Sequence, residues 1–140
     1  YDFETLGKEI VIGHLHGVKG AAALAGEMAR NIAISAVTST STKQDPSVTI
    51  AAICRGVMSG MILLDLDLPQ TAVALLTEMP AVAREVGLAP EDCMIWAMEG
   101  IAPVAWLAPG GAPGNIRRSI EANFTKCGEA FNSLVRTLGA

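Results

Sequence analysis

The chain is 140 residues long, which suits one domain with a sizeable buried core. Its net charge is −4, and no basic cluster offers the surface that nucleic-acid binding needs. Hydrophobic residues make up 51% of the chain but aromatic residues only 4%, so small residues supply much of the apolar content. Small apolar residues favour close contact between helices and suit strands poorly. We therefore predict a single all-α domain over residues 1–140 and no nucleic-acid partner.

The first helix is predicted over residues 2–38, where two adjoining apolar stripes follow a helical period. Five glycines interrupt it, at positions 7, 13, 17, 20 and 26. Each glycine costs about 1 kcal/mol relative to alanine in a helix interior. Either close packing compensates for that cost or the helix breaks near Gly17 and Gly20. We expect a continuous helix.

The central helix is predicted to begin at Pro46 and to end before Pro69, with Arg55 near its middle. Asp45 is expected to cap it, and the hydroxyl-rich residues 38–44 before it predict a loop. Spanning a bilayer takes roughly 20 apolar residues with few or no charges, so a membrane span is disfavoured. We expect this helix to form the centre of the core instead.

Three further helices follow, over residues 67–86, 91–107 and 115–138. Asp67 and Asn115 are expected to cap the first and the last of them, and Gly87 to end the first. Pro80 should kink or restart the helix that contains it. The glycine-rich residues 109–115 predict a turn. The sequence thus predicts about five helices, closely packed in a bundle rich in alanine and glycine.

Three segments, beginning at residues 12, 50 and 95, resemble one another. Each places a polar residue before a glycine and follows that glycine with valine or isoleucine; the pairs are His16–Gly17, Arg55–Gly56 and Glu99–Gly100. A true repeat of roughly 40 residues would make the fold a set of stacked helix pairs. Apolar helices that contain glycine also produce such similarities by chance, so both interpretations stay open.

Arg55 and Glu99 are charged residues in the middle of apolar helices. A charge buried alone is very costly, so each should find a partner or reach solvent. One hypothesis pairs them, with His16 nearby, as the polar centre of a ligand site or of an enzyme. The alternative is that each faces water along a narrow polar stripe.

A second candidate site lies at the predicted glycine-rich turn, where a helix begins and two arginines follow. Such a helix start binds anions, and the residues concerned are Gly114, Asn115, Arg117 and Arg118. The alternative is a plain turn whose arginines meet carboxylates. The stretch follows no predicted strand and lacks the lysine of a phosphate-binding loop, so nucleotide binding is not supported.

A third candidate site is an apolar ligand pocket between helices, lined by Trp96, Trp106, Met94 and Met98. The two tryptophans are ten residues apart on one predicted helix and so share a broad side of it. Large apolar residues at helical spacing also form a core or a subunit interface, which is the alternative here.

Metal and disulfide chemistry find little support in the sequence. His14 and His16 are two residues apart, a spacing that does not place both side chains on one face of a helix, so we expect no metal site. Three widely separated cysteines fit a reducing compartment, and we expect a cytoplasmic protein without a cofactor.

Apolar patterns cover two sides of several predicted helices, which exceeds what one core of this size can hide. We therefore expect a homo-oligomer, most simply a dimer. The function that this pattern favours is a non-enzymatic assembly or regulatory module that acts through protein–protein contact. A binder of a small apolar ligand near Trp96 and Trp106, or an enzyme centred on Arg55 and Glu99, are the alternatives.

Overall fold

The computed structural model describes residues 2–39, 44–108 and 110–139. These residues form seven α-helices: α1 (Phe3–His14), α2 (Ala21–Thr38), α3 (Pro46–Leu63), α4 (Leu68–Val86), α5 (Pro90–Leu107), α6 (Ala112–Asn123) and α7 (Cys127–Gly139). The all-α prediction is confirmed, whereas the count of about five helices is wrong. Most of the loop predicted over residues 38–44, and the proline at position 109 that opens the predicted turn, lie outside the described residues.

The first predicted helix divides into α1 and α2. The turn between them places Gly17 and Gly20 at φ values of 71° and 69°. Glycine adopts this left-handed backbone without steric cost, whereas other residues rarely do. The expectation of continuity was therefore wrong, and the break occurs at the position that the sequence offered as the alternative.

The last predicted helix also divides, into α6 and α7. Phe124 ends α6 in an extended conformation, and Lys126 takes a positive φ of 77°. The Lys126 N–H donates to Glu121 Oε2 at 2.7 Å, which stabilises this turn. Asn115 does not cap the helix as predicted, because α6 already begins at Ala112.

The predicted start of α3 and both predicted ends of α4 are confirmed, whereas α3 ends at Leu63 and not just before Pro69. Asp45 accepts a hydrogen bond from the Ser47 N–H at 2.9 Å at the start of α3, and Asp67 accepts one from the Gln70 N–H at 3.0 Å at the start of α4. Gly87 ends α4 with a φ of 75°. The helix α4 continues through Pro80 to Val86 and does not restart there.

The helices pack in two layers. The most extensive contacts join α1 to α3 and α3 to α5 in one layer, and α2 to α4 in the other. Contacts of α4 with α6 and of α5 with α7 continue both layers. The buried core lies between the layers, and α3 contributes the largest share of any helix to it. The chain is therefore organised as helix pairs stacked along one direction.

Glycines bring the helices within each layer close together. A Cβ at Gly56 of α3 would overlap the carbonyl oxygen of Glu4 in α1, and one at Gly100 of α5 would overlap that of Ala51 in α3. In the other layer a Cβ at Gly26 would lie 2.9 Å from the carbonyl oxygen of Ala74. The high alanine and glycine content thus permits backbones to touch across three helix–helix contacts.

The helix pairs α3–α4 and α5–α6 have the same spacing along the sequence, and we call this common spacing of 44 residues their register. The helix α5 begins 44 residues after α3, at Pro90 and Pro46, and α6 begins 44 residues after α4, at Ala112 and Leu68. Gly56 and Gly100 occupy equivalent positions in this register. The first of the three similar segments does not share it, because His16 and Gly17 lie in the turn after α1.

Among the described residues, α3 is one helix that is long and apolar enough to cross a membrane by length and composition. Its 18 residues have a mean hydropathy of 1.5, and 56% of them are buried inside the protein. The central helix of a soluble core meets the same criteria.

We expect Gly56→Ala to destabilise the fold, because the added methyl group meets backbone rather than a side chain that could move aside. Overpacking of this kind costs about 1–3 kcal/mol of the free energy of unfolding, which urea denaturation measures. Gly13→Ala is the control, since nothing lies within 4 Å of its added Cβ. It should leave stability unchanged or raise it slightly. Equal losses for both variants would contradict the close contact between α1 and α3.

Candidate functional site

The proposed polar centre is not assembled as the sequence predicted. Arg55 Nε donates to Glu4 Oε1 at 2.7 Å, so its ion-pair partner is on α1 and not Glu99. Glu99 is exposed on α5, and His16 is exposed in the turn after α1. In the part of the chain that the structure describes, α1 and α5 make no contact. The three residues therefore do not converge on one site.

The four residues of the predicted apolar pocket lie in different environments. Met98 is fully buried in the core, and Met94 and Trp96 are half-buried at its edge. Trp106 is 49% exposed at the end of α5, and its neighbour Leu107 is 81% exposed. The two tryptophans thus differ in what surrounds them, and Trp106 contributes apolar surface to the outside of the protein.

The predicted anion site lies within α6 and not before it. Gly114 and Asn115 belong to its first turn, and Arg118 donates a hydrogen bond to the side chain of Asn115. Arg117 is half-buried and Arg118 is exposed. Asn115 therefore acts as an acceptor for an arginine of its own helix rather than as a cap.

The three cysteines are free thiols, and Cys54 and Cys93 are buried. Burial raises the pKa of the Cys54 thiol to about 12 and raises those of Cys93 and Cys127 as well. A thiol with a raised pKa is poorly ionised at neutral pH and hence a poor nucleophile. Among the described residues, no group of three or more histidines, cysteines or carboxylates could hold a metal ion.

An open groove of about 370 Å³ lies between α2 and α4. At one end Arg30 Nη1 donates to Glu78 Oε1 at 2.5 Å, and the lining residues are Ala22, Ala23, Glu27, Arg30, Gln70, Val73, Ala74, Thr77 and Glu78. The sequence gives no signal for this ion pair, because its members are 48 residues apart on different helices. It joins α2 to α4 as the Arg55–Glu4 pair joins α3 to α1.

Several large apolar side chains are exposed outside the core. They are Ile12, Val18, Leu24, Val48, Leu63, Ile95, Trp106, Leu107 and Leu138. The glycines of the helix contacts are not part of this exposed surface, because each of them is in contact with another helix of the same chain. They are Gly7, Gly26, Gly56, Gly60 and Gly100. Surface available for a partner is therefore found at these exposed side chains and not at the filled glycine positions.

No family model, no curated protein and no solved structure matches this chain.

The ion pair between Arg55 and Glu4 gives a direct test of the polar arrangement. We expect Arg55→Glu to lower the free energy of unfolding and Glu4→Arg to restore part of the loss. Both side chains are more than a third exposed, so the coupling energy should be at most about 1 kcal/mol and should fall as salt is added. Urea denaturation of the single and double variants measures it.

Glu99→Arg is the matched control for that cycle, because it places the same charge change on exposed surface of α5. It should not restore the stability of Arg55→Glu. Rescue by Glu99→Arg, with none from Glu4→Arg, would favour the pairing that the sequence suggested.

Proposed function

We propose that this protein is a non-enzymatic assembly or regulatory module that acts through protein–protein contact as a homo-oligomer. The observation that supports it best is the set of large apolar side chains that stay exposed on α1, on α2 and in the turn between them, namely Ile12, Leu24 and Val18.

The helices α1 and α2, at the start of the helical stack, are held by different neighbours. The main contact of α1 is with α3 and that of α2 is with α4, while α1 and α2 make the smallest contact of any touching pair of helices. Each following pair is covered by the pair before it, but α1 and α2 have no described helix on their outer side. Their outward side chains are therefore available to a partner.

The geometry of α2 shows which side chains point outward. Gly26 faces α4, where it lies against Ala74. Leu24 and Met28 are each two residues away from Gly26, which is about 200° around the helix. They therefore point away from α4. Leu24 is 38% exposed, whereas Met28 is half-buried and packs against the core.

On α1, Gly7 and Val11 are buried against α3. One flank of this contact carries the exposed Lys8, whereas the other carries the half-buried Leu6 and Ile10. Leu6 packs against the core on this flank, whereas Ile12 of the same helix is 37% exposed. Apolar patches that exposed side chains form together are typical of protein–protein contact sites.

The two alternatives have weaker support. An enzyme centred on Arg55 and Glu99 would need the two charges in one cleft, and Arg55 instead pairs with Glu4. A ligand site near Trp96 and Trp106 would need both rings to line one pocket, and Trp106 is half exposed at a helix end. The free thiols are consistent with our proposal of a reducing, cytoplasmic location.

Size-exclusion chromatography with light scattering tests the proposed association. We expect the molar mass to rise from that of one chain toward that of a dimer between about 1 and about 500 µM, the range in which a weak interface forms. A chain that stays monomeric and soluble throughout this range would contradict the proposed function.

A further inference from the structure

We propose that the groove between α2 and α4 binds a lysine or arginine side chain carried on an extended peptide segment of a partner protein. This inference goes beyond the proposed function, because the exposed apolar side chains that support that function do not line the groove. Three observations support it: the course of the groove, its charge, and the polar and small residues along its length.

The groove follows two parallel helices. Gly26 of α2 lies against Ala74 of α4, and one turn further along Arg30 pairs with Glu78. The members of each pair are 48 residues apart in the sequence, so the two helices run in the same direction. On α2 the lining extends from Ala22 to Arg30, which is about 12 Å at 1.5 Å per residue. An extended peptide rises about 3.3 Å per residue, so a segment of three or four residues spans the groove.

The charge of the groove favours a cation. Among the described residues that line it, Glu27 and Glu78 are acidic and Arg30 is basic, which leaves a net charge of −1. Arg30 Nη1 donates to Oε1 of Glu78, whereas Glu27 takes part in no hydrogen bond or ion pair within the part of the chain that the structure describes. The Glu27 carboxylate and the second oxygen of Glu78 therefore remain as acceptors for an ammonium or guanidinium group. An anionic ligand would meet the opposite charge balance.

The remaining lining suits a peptide backbone. Its apolar members are small, so a bound segment lies close to both helices; they are Ala22, Ala23, Val73 and Ala74. Gln70 is exposed at the end of the groove away from the ion pair. Its side-chain amide has a donor and an acceptor for the backbone groups of the segment. A basic side chain on an extended segment therefore matches the carboxylates at one end and the amide at the other.

The exposure of the groove sets the strength of binding. Glu27 is exposed, and the side chains of Arg30 and Glu78 are 31% and 18% exposed. Ion pairs at such sites are weak and are screened by salt. We therefore expect a dissociation constant on the order of 1 mM for a short peptide, rising as salt is added.

Two-dimensional proton–nitrogen NMR of the full chain, titrated with the tetrapeptide acetyl-Ala-Lys-Ala-Ala-amide, measures the affinity and the location of binding together. We expect the shifted amide signals to come from residues 22–30 of α2 and 70–78 of α4. The same tetrapeptide with glutamine in place of lysine should bind at least about threefold more weakly, because it has no charge to offer the carboxylates. Butylamine, which carries the ammonium group without a peptide backbone, should also bind more weakly than the lysine tetrapeptide.

Charge reversal at Glu27 tests the residue on which the proposal depends. Glu27→Lys should weaken binding of the lysine tetrapeptide at least about fivefold, because it repels the ammonium group of the peptide and offers its own to Glu78. Glu99→Lys is the matched control, since it makes the same charge change on exposed surface of α5, and it should alter the dissociation constant less than about twofold. Ala23→Phe fills the groove from an exposed position and should weaken binding too. Circular dichroism checks that each variant is folded.

Three results would overturn the inference: shifted signals that lie outside the groove, equal affinity for the lysine and glutamine tetrapeptides, or equal weakening by Glu27→Lys and Glu99→Lys. Equal affinity for butylamine would overturn the peptide as the carrier of the ammonium group. The proposed function is tested separately by light scattering. A chain that stays monomeric yet binds the lysine tetrapeptide in the groove contradicts that function alone, and an oligomer that does not bind the tetrapeptide contradicts this inference alone.

Discussion

The contact between backbones at Gly56 and Glu4 is the constraint on which the rest of the structure depends. It fixes how near α3 lies to α1, and the equivalent contact of Gly100 with Ala51 fixes α5 against α3. Once these helices touch along one layer, their other faces turn toward α2 and α4, and the core forms between the layers. The apolar residues of α3 are then covered on several sides. Its high hydrophobicity is therefore accounted for by burial inside the protein.

Because of the same constraint, the glycines give no evidence that the chain associates with a partner. A glycine stripe on an isolated helix suggests a partner helix, but it does not say whether that partner belongs to the same chain. Here Gly56, Gly60 and Gly100 are filled by α1 and α3 of the same chain, so they contribute nothing to an interface. The case for a partner depends instead on exposed apolar side chains such as Leu24, which lies on the side of α2 that points away from α4.

Much of the fold could be predicted because its signals are local. Asp45 with Pro46, Asp67 with Pro69, and Gly87 mark helix ends by short-range backbone chemistry that the sequence shows directly. The division between α6 and α7 has no such signal, since Lys126 takes a left-handed backbone that glycine would normally supply. The turn at Gly17 and Gly20 did carry a signal, and there the error was to assume that close packing would compensate for every glycine.

The candidate site was harder to predict because pairing across helices depends on their order in space. Arg55 needed a carboxylate, but the choice between Glu4 and Glu99 depends on which face of α3 each neighbouring helix covers. Sequence spacing gives the face of a single helix and not the identity of the helix beyond it. Once two layers are established, both ion pairs follow one rule, because each joins a helix to the next member of its own layer.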